Sequence, residues 1–390
     1  MNTDDGHKRC RIFAASEILF PELFNRADNK ICTEVLENKE YIDIKAGNIV
    51  NVDIFGLPTE KLNRFMLSEL KTDLDALNCA TINHMIAEAV KHSSAAKGRR
   101  IAGVIGSSGI FIDPFSEISF TELISAYDEQ VRALDEHVDL YIIKGISSMS
   151  DMRAALLSCK KTEKPVFTVI SPTNGDSDET GGISALGGMV TAQEMGSDAF
   201  GIQGENPKIY SETAKEFIPY AKIPLIADLN GESSEFPDIL GCGKFKYIIT
   251  ESVNPKPAEK NVSSFSDTEI EPYDDFFVFT YYADTFFLEA DTTEISEPIR
   301  CLPDMEETIA DICKTSCDIL RVEINSNDDA IDFARNANMS TLPVMFLSED
   351  PLALRMALML YQGIALIDSD TLIPKEELDE MCEKYGSVVY

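Results

Sequence analysis

The stretch 118–160, ISFTELISAYDEQVRALDEHVDLYIIKGISSMSDMRAALLSCK, decides the fold. Within it Thr121–Glu136 reads as an amphipathic helix, with Leu123, Ala126, Val131 and Leu134 near one face and charges on the other. Asp139–Ile143 follows as a short continuous apolar run, the pattern of a strand covered on both faces. The same alternation extends outward. Further β-rich runs lie at Arg11–Ala15, Asn48–Ile54, Ile101–Ile105, Pro165–Ile170, Asp198–Ile202, Ile223–Ala227 and Phe245–Thr250, most of them followed by a helical pattern such as Ser211–Tyr220. Eight such strands predict an α/β chain built on a closed (β/α)8 TIM barrel, whose functional residues line the C-terminal strand ends.

Residues 251–275 change character: the segment is polar, holds three prolines and has no apolar period. Beyond it come a hairpin pattern (Phe276–Tyr282, Thr285–Ala290) and a second alternating series. Its strands are Asp318–Asn325, Leu342–Leu347, Ile364–Asp368 and Ser387–Tyr390, with helices Asp328–Asn338, Pro351–Tyr361 and Lys375–Tyr385 between them. Three crossovers of this kind predict a smaller C-terminal parallel α/β domain. The expected organisation is a barrel over 1–260, a linker over 261–275 and the α/β domain over 276–390.

Charge narrows the function classes. The 390 residues carry 34 basic and 67 acidic side chains, a net charge of −33. So acidic a surface repels phosphate backbones and anionic lipid, so neither nucleic acid nor a membrane surface is an expected partner. No apolar stretch reaches the roughly 18 residues a membrane span needs. Lys8, Arg9 and Arg11 precede an apolar run, but Glu17 and Pro21 interrupt it, against a signal peptide. The nine cysteines (10, 32, 79, 159, 242, 301, 313, 317, 382) are scattered, as expected of reduced thiols in a cytoplasmic protein.

Five stretches carry a resemblance: EYIDIKAGNIVNVDIF (40–55), TINHMIAEAVK (81–91), RIAGVIGSSG (100–109), the 118–160 segment, and DAFGIQGENP (198–207). In this order and spacing they resemble the homocysteine S-methyltransferase barrel, the N-terminal module of cobalamin-dependent methionine synthase. The resemblance implies a TIM-barrel methyltransferase in one-carbon metabolism. It implies zinc held by three thiolates, one in a Gly-x-Asn-Cys turn after strand six and two in a Gly-Gly-Cys-Cys-Gly turn after strand eight. There the metal turns the homocysteine sulfur into the nucleophile.

Here the first turn reads Gly201-Ile202-Gln203-Gly204 and the second Ile249-Thr250-Glu251-Ser252-Val253-Asn254-Pro255, without a thiol in either. Cys242 falls before strand eight, toward the opposite end. The glycine-rich turn after strand one becomes Ser16–Pro21, strand two ends Asn51-Val52-Asp53-Ile54-Phe55, and the Glu-Thr end of strand four becomes Lys144-Gly145, a reversal of charge. No zinc or other cofactor is therefore expected. Two classes remain: a pseudoenzyme, non-catalytic or repurposed to bind a small molecule or a corrinoid or one-carbon enzyme partner, and a methyltransferase acting on a small acceptor without thiolate-held zinc.

The polar residues expected at the barrel mouth are Asp53, Ser107, Lys144, Ser171, Gln203, Asp228 and Glu251. They could form a ligand pocket, in which Lys144 meets an anion, or could satisfy one another in a closed mouth. Catalytic residues are not assigned. The turn Gly106–Gly109 is expected to be structural rather than a phosphate cradle, and Ser171–Gly182 reads equally as a lid over the mouth or as an exposed loop. Cys313 and Cys317 are expected on one helix face as core filling; His84, His92 and His137 are assigned no catalytic role. The acidic stretches 268–275 and 375–383 read as solvated faces. Leu352–Ser369 resembles the last helix and strand of pterin-binding barrels, with Asp368 in place of asparagine, and implies no pterin site; its apolar helix makes a homodimer conceivable.

Overall fold

The structure is a computed structural model. It describes residues 10–14, 24–25, 30–31, 34–49, 51–69, 71–72, 78–93, 96–112, 116–173, 182–204, 206–229, 242–250, 277–289 and 293–390. Eight parallel strands close into a barrel: β1 (Cys10–Phe13), β2 (Ile54–Gly56), β3 (Arg100–Ile105), β4 (Leu140–Ile146), β5 (Val166–Ile170), β6 (Ala199–Gly204), β7 (Leu225–Leu229) and β8 (Phe245–Thr250). Each strand pairs with its sequence neighbours, and β1 closes the ring by pairing with both β2 and β8. Alternation sorts the side chains into two layers. Eleven of them, among them Ile12, Ile54, Ala102, Ile142, Val169 and Ile226, fill the barrel interior as a separate cluster. The opposite parity packs outward against helices.

The helices follow from apolar stripes and local caps. Short α1 (Glu34–Glu37) and α2 (Lys39–Gly47) precede β2; α3 (Arg64–Ser68) and α4 (Cys79–Lys91) follow it. Next come α5 (Phe120–Leu134), α6 (Met149–Cys159), α7 (Ala185–Glu194) and α8 (Pro207–Phe217). α5 starts where predicted because Ser119 and Glu122 form a reciprocal capping box. Strand two differs from expectation: Asn51 takes a left-handed φ of 61°, which breaks the predicted Asn48–Ile54 run and moves the strand to Ile54–Gly56.

The polar 251–276 segment lies outside the described residues, as does the Ser16–Pro21 turn. Beyond it β9 (Phe277–Tyr281) and β10 (Asp284–Leu288) form the expected antiparallel hairpin. A parallel sheet then runs in sequence order through β11 (Ile299–Arg300), β12 (Leu320–Glu323), β13 (Val344–Leu347), β15 (Leu366–Ile367) and β16 (Val388–Val389), while β14 (Gly363–Ile364) pairs with the hairpin. The associated helices are α9 (Glu306–Ile312), α10 (Asn327–Asn336), α11 (Pro351–Leu360) and α12 (Lys375–Tyr385). Because α9 ends at Ile312, Cys313 caps it and Cys317 lies beyond it, so the two thiols do not share a helix face.

One apolar cluster runs from the barrel's helical layer into this C-terminal part. Among the described residues, buried polar side chains cross the junction at two places. Thr191 and Thr280 hydroxyls meet at 2.7 Å. Arg153, fully buried on α6, donates to the Leu358 and Met359 carbonyls (2.9 and 3.0 Å) at the C-terminal end of α11, where a cation is favoured. No helix among the described residues is long and apolar enough to cross a membrane.

Candidate functional site

Parity decides which side chains reach the mouth. In β4, Leu140 and Ile142 belong to the interior cluster, so Lys144 continues their row; Phe167 and Val169 lead to Ser171, Ala199 to Gln203, and Ile226 to Asp228. Among the described residues these four continue the interior rows at the C-terminal ends of β4 to β7. Lys144 is aimed by a bulge: the β4–β5 register shifts between Lys144 and Ile146, and the intervening Gly145 adopts φ 71°. A side chain at 145 would be strained in that conformation and would approach Glu60 Oε1 at 3.0 Å.

Across the mouth Lys144 Nζ lies 3.3 Å from Asp228 Oδ2, and both side chains are almost wholly shielded from solvent. Ser171 Oγ donates to Gln203 Oε1 at 2.7 Å. Asp228 is also felt by Tyr210, whose hydroxyl is pushed well above its ordinary pKa by burial and then by that carboxylate. The mouth therefore contains a buried ion pair and a neutral hydrogen-bonded pair. Charges taken out of water this far need such partners, because the desolvation cost of either alone is several kcal/mol.

Ser107 does not join them. Its parity is opposite to Ala102, and its hydroxyl turns outward to Asp151 Oδ2 at 2.6 Å. Asp151 also accepts from the Ser108 N–H (3.0 Å), the Ser108 hydroxyl (2.6 Å) and the Tyr127 hydroxyl (2.7 Å). Burial raises the Asp151 carboxyl above its ordinary pKa, and the donated hydrogen bonds oppose that shift. The Gly106–Gly109 turn is thus built around a protein carboxylate. Sequence reasoning missed Asp151, although Ser148-x-x-Asp151 is a helix-start signature and Ser148 Oγ does accept the Asp151 N–H at 3.2 Å.

Two other expected residues fall elsewhere. Asp53 precedes β2 at the N-terminal end, opposite the mouth, where its Oδ2 accepts the Arg11 N–H at 2.9 Å. The shift of strand two explains the misplacement. Asp139 and Asp198 make the same contact with the Ile101 and Val166 N–H groups, both at 2.8 Å. Glu251 lies outside the described residues, as do 174–181 of the lid candidate.

The described cysteines sit away from the barrel's C-terminal strand ends: Cys10 opens β1, Cys242 precedes β8, Cys79 and Cys159 lie on helices, and four belong to the C-terminal part. Burial pushes the Cys79 and Cys301 thiols up to about 12 and raises Cys159 as well, so these are thiols rather than thiolates at neutral pH.

The profile of the homocysteine S-methyltransferase family matches residues 39–247. Among solved structures the chain is similar to the homocysteine methyltransferase MmuM from Escherichia coli in its apo form, at 14% identity and a TM-score of 0.45, over 63% of this chain and 91% of that one. It is also similar to orotidine 5'-monophosphate decarboxylase from Methanocaldococcus jannaschii complexed with the inhibitor BMP (13%, TM-score 0.29, 68% and 95% covered). A third is a phosphonopyruvate hydrolase complex with oxalate and Mg++ (14%, TM-score 0.31, 62% and 75% covered). No curated protein sequence matches. The family profile spans more than half of the chain, from α2 to β8, and on that ground the chain belongs to the homocysteine S-methyltransferase family.

Proposed function

We propose that this is a homocysteine S-methyltransferase-like barrel that has lost the zinc-thiolate site and serves as a non-catalytic binding or scaffolding module. The observation that carries this reading is the buried Lys144–Asp228 pair, in which two shielded opposite charges at the mouth lie 3.3 Å apart. The neighbouring polar groups are engaged likewise, Ser171 with Gln203 and the Ser107–Ser108 turn with Asp151. Two cavities, of about 340 and 360 Å³, lie elsewhere: one on the outer wall beside α4, the other between α5 and the C-terminal part.

The donor set does not fit a zinc ion held as the family holds it. Gly204 stands at the position of the strand-six thiol, and a Cβ added there would lie 2.8 Å from the Tyr210 ring. The turn after β8 carries no cysteine in sequence. Family membership suggests that the partner is a corrinoid or other one-carbon enzyme.

The test is turnover by the full chain of homocysteine and other small thiols, supplied with isotopically labelled methyl donors. The expected result is no methyl transfer by folded protein. Transfer that is lost in Lys144→Met would overturn the reading and establish a methyltransferase working without thiolate-held zinc.

A further inference from the structure

We infer that His84, Glu88 and His137 form a binding site for a divalent transition-metal ion on the outer wall of the barrel, far from the mouth. His84 and Glu88 stand one turn apart on α4, the i,i+4 spacing that places two side chains on one helix face. His137 comes from a different element, the single 3₁₀ turn Asp135–His137 that follows α5. His137 leads directly into β4, so the site belongs to the N-terminal end of the barrel.

The geometry is already close to a ligand set. His137 Nε2 lies 3.1 Å from His84 Nδ1, and the other ring nitrogen of His84, Nε2, lies 3.2 Å from Glu88 Oε2, so that binding one ion keeps one of these contacts and opens the other. One donor atom from each of the three residues can be chosen so that all lie within 4.8 Å of one another. Around a tetrahedral ion with bonds of about 2.0–2.1 Å, donors sit about 3.3 Å apart, so modest side-chain rotation closes the set. That rotation is available to His84 and Glu88, which are about half exposed. Two imidazoles and a carboxylate make a borderline donor set suited to Zn2+ or Co2+ rather than to Mg2+ or Ca2+. The cavity of about 340 Å³ beside α4 is lined by His84, Glu88 and His92, which leaves a position open to water. His92 contacts the other carboxylate oxygen of Glu88 at 3.7 Å and orients it without joining the set. The bound ion clips α4 to the end of α5.

Co2+ titration of the full chain tests this, because cobalt reports its ligands by colour and the nine cysteines are the competing donors. The expected result is one equivalent with nitrogen and oxygen ligand-field bands, no thiolate charge-transfer band, and displacement by Zn2+. Binding is lost in His84→Ala and His137→Ala, weakened roughly tenfold or more in Glu88→Gln, and retained in His92→Ala. Circular dichroism confirms that each variant is folded. Cobalt binding that survives His137→Ala, that carries a thiolate charge-transfer band, or that is missing from the wild-type protein overturns the proposal.

Discussion

At the N-terminal rim of the barrel, Asp53, Asp139 and Asp198 each accept the N–H of a residue on the preceding strand and return their own N–H to that residue's carbonyl. Asp318 does the same with Glu294 before β12 in the C-terminal sheet. Among the described residues of the opposite rim, two carboxylates are held in different ways: Asp228 faces a lysine and Asp151 collects three hydroxyls and an N–H. The first set is exposed, repeated and local, whereas the second is buried, singular and dependent on distant strands. A repeated exposed contact is a device of the fold and contributes little at each site. A buried one is all-or-none, because its partners have no water to fall back on.

Unequal removal at the mouth gives the largest effect. Lys144→Met removes the cation beside the buried Asp228 carboxylate and is expected to cost about 3–5 kcal/mol in urea denaturation. The double variant Lys144→Met/Asp228→Leu is expected to recover most of that loss, since it removes both charges. If the double variant is as unstable as the single, mutual neutralisation is not what the pair contributes to the mouth.

Asp151→Ala comes next, at about 3 kcal/mol, because it leaves the Ser107 and Ser108 hydroxyls without their acceptor and Tyr127 with only the Gly106 carbonyl at 3.1 Å. Its pH dependence has a definite sign. Burial raises the folded carboxyl above its unfolded value, so between those values the native state binds more protons than the unfolded one. Stability therefore falls as pH rises through that window, and the contribution is fully present only below the unfolded pKa. Asp151→Asn, which does not titrate, is expected to flatten this part of the stability–pH curve. Gly204→Cys sharpens the same rim from the family's side: the added side chain meets the Tyr210 ring, at an expected cost of about 2 kcal/mol and with no gain of bound zinc at the mouth.

Much of this rim was legible in the sequence and some of it was misread for identifiable reasons. Short apolar runs placed seven of the eight barrel strands closely, because strands covered on both faces are predominantly apolar, and Phe245–Thr250 matches to the residue, whereas the run expected for strand two shares only Ile54 with Ile54–Gly56. Lys144, Ser171, Gln203 and Asp228 follow from counting along those runs in steps of two. The same count excludes Ser107, which is an odd step from Ala102. Asp53 was misplaced because nothing in Asn48–Ile54 announces that Asn51 turns left-handed. Neither the Asp151 cluster nor the His84–His137 contact has a linear signature. The Ser107–Asp151 and His84–His137 contacts each join residues more than 40 positions apart, which only the folded barrel brings together.

The smallest effects lie at the N-terminal rim and give the comparison its sharpest test. Asp53, Asp139 and Asp198 contact different strands and share no partner, so their contributions are expected to add. Each Asp→Ala change removes one exposed side-chain acceptor and leaves the backbone pairing intact, which sets the expected loss at about 1 kcal/mol or less in urea denaturation. Asp→Asn retains a carbonyl oxygen that can accept the same N–H and is expected to be milder still. A single substitution costing as much as Lys144→Met would mean that the repeated rim stores its stability cooperatively. Additive small losses, set against the large non-additive loss at the Lys144–Asp228 pair, would locate the barrel's polar specificity at its C-terminal end.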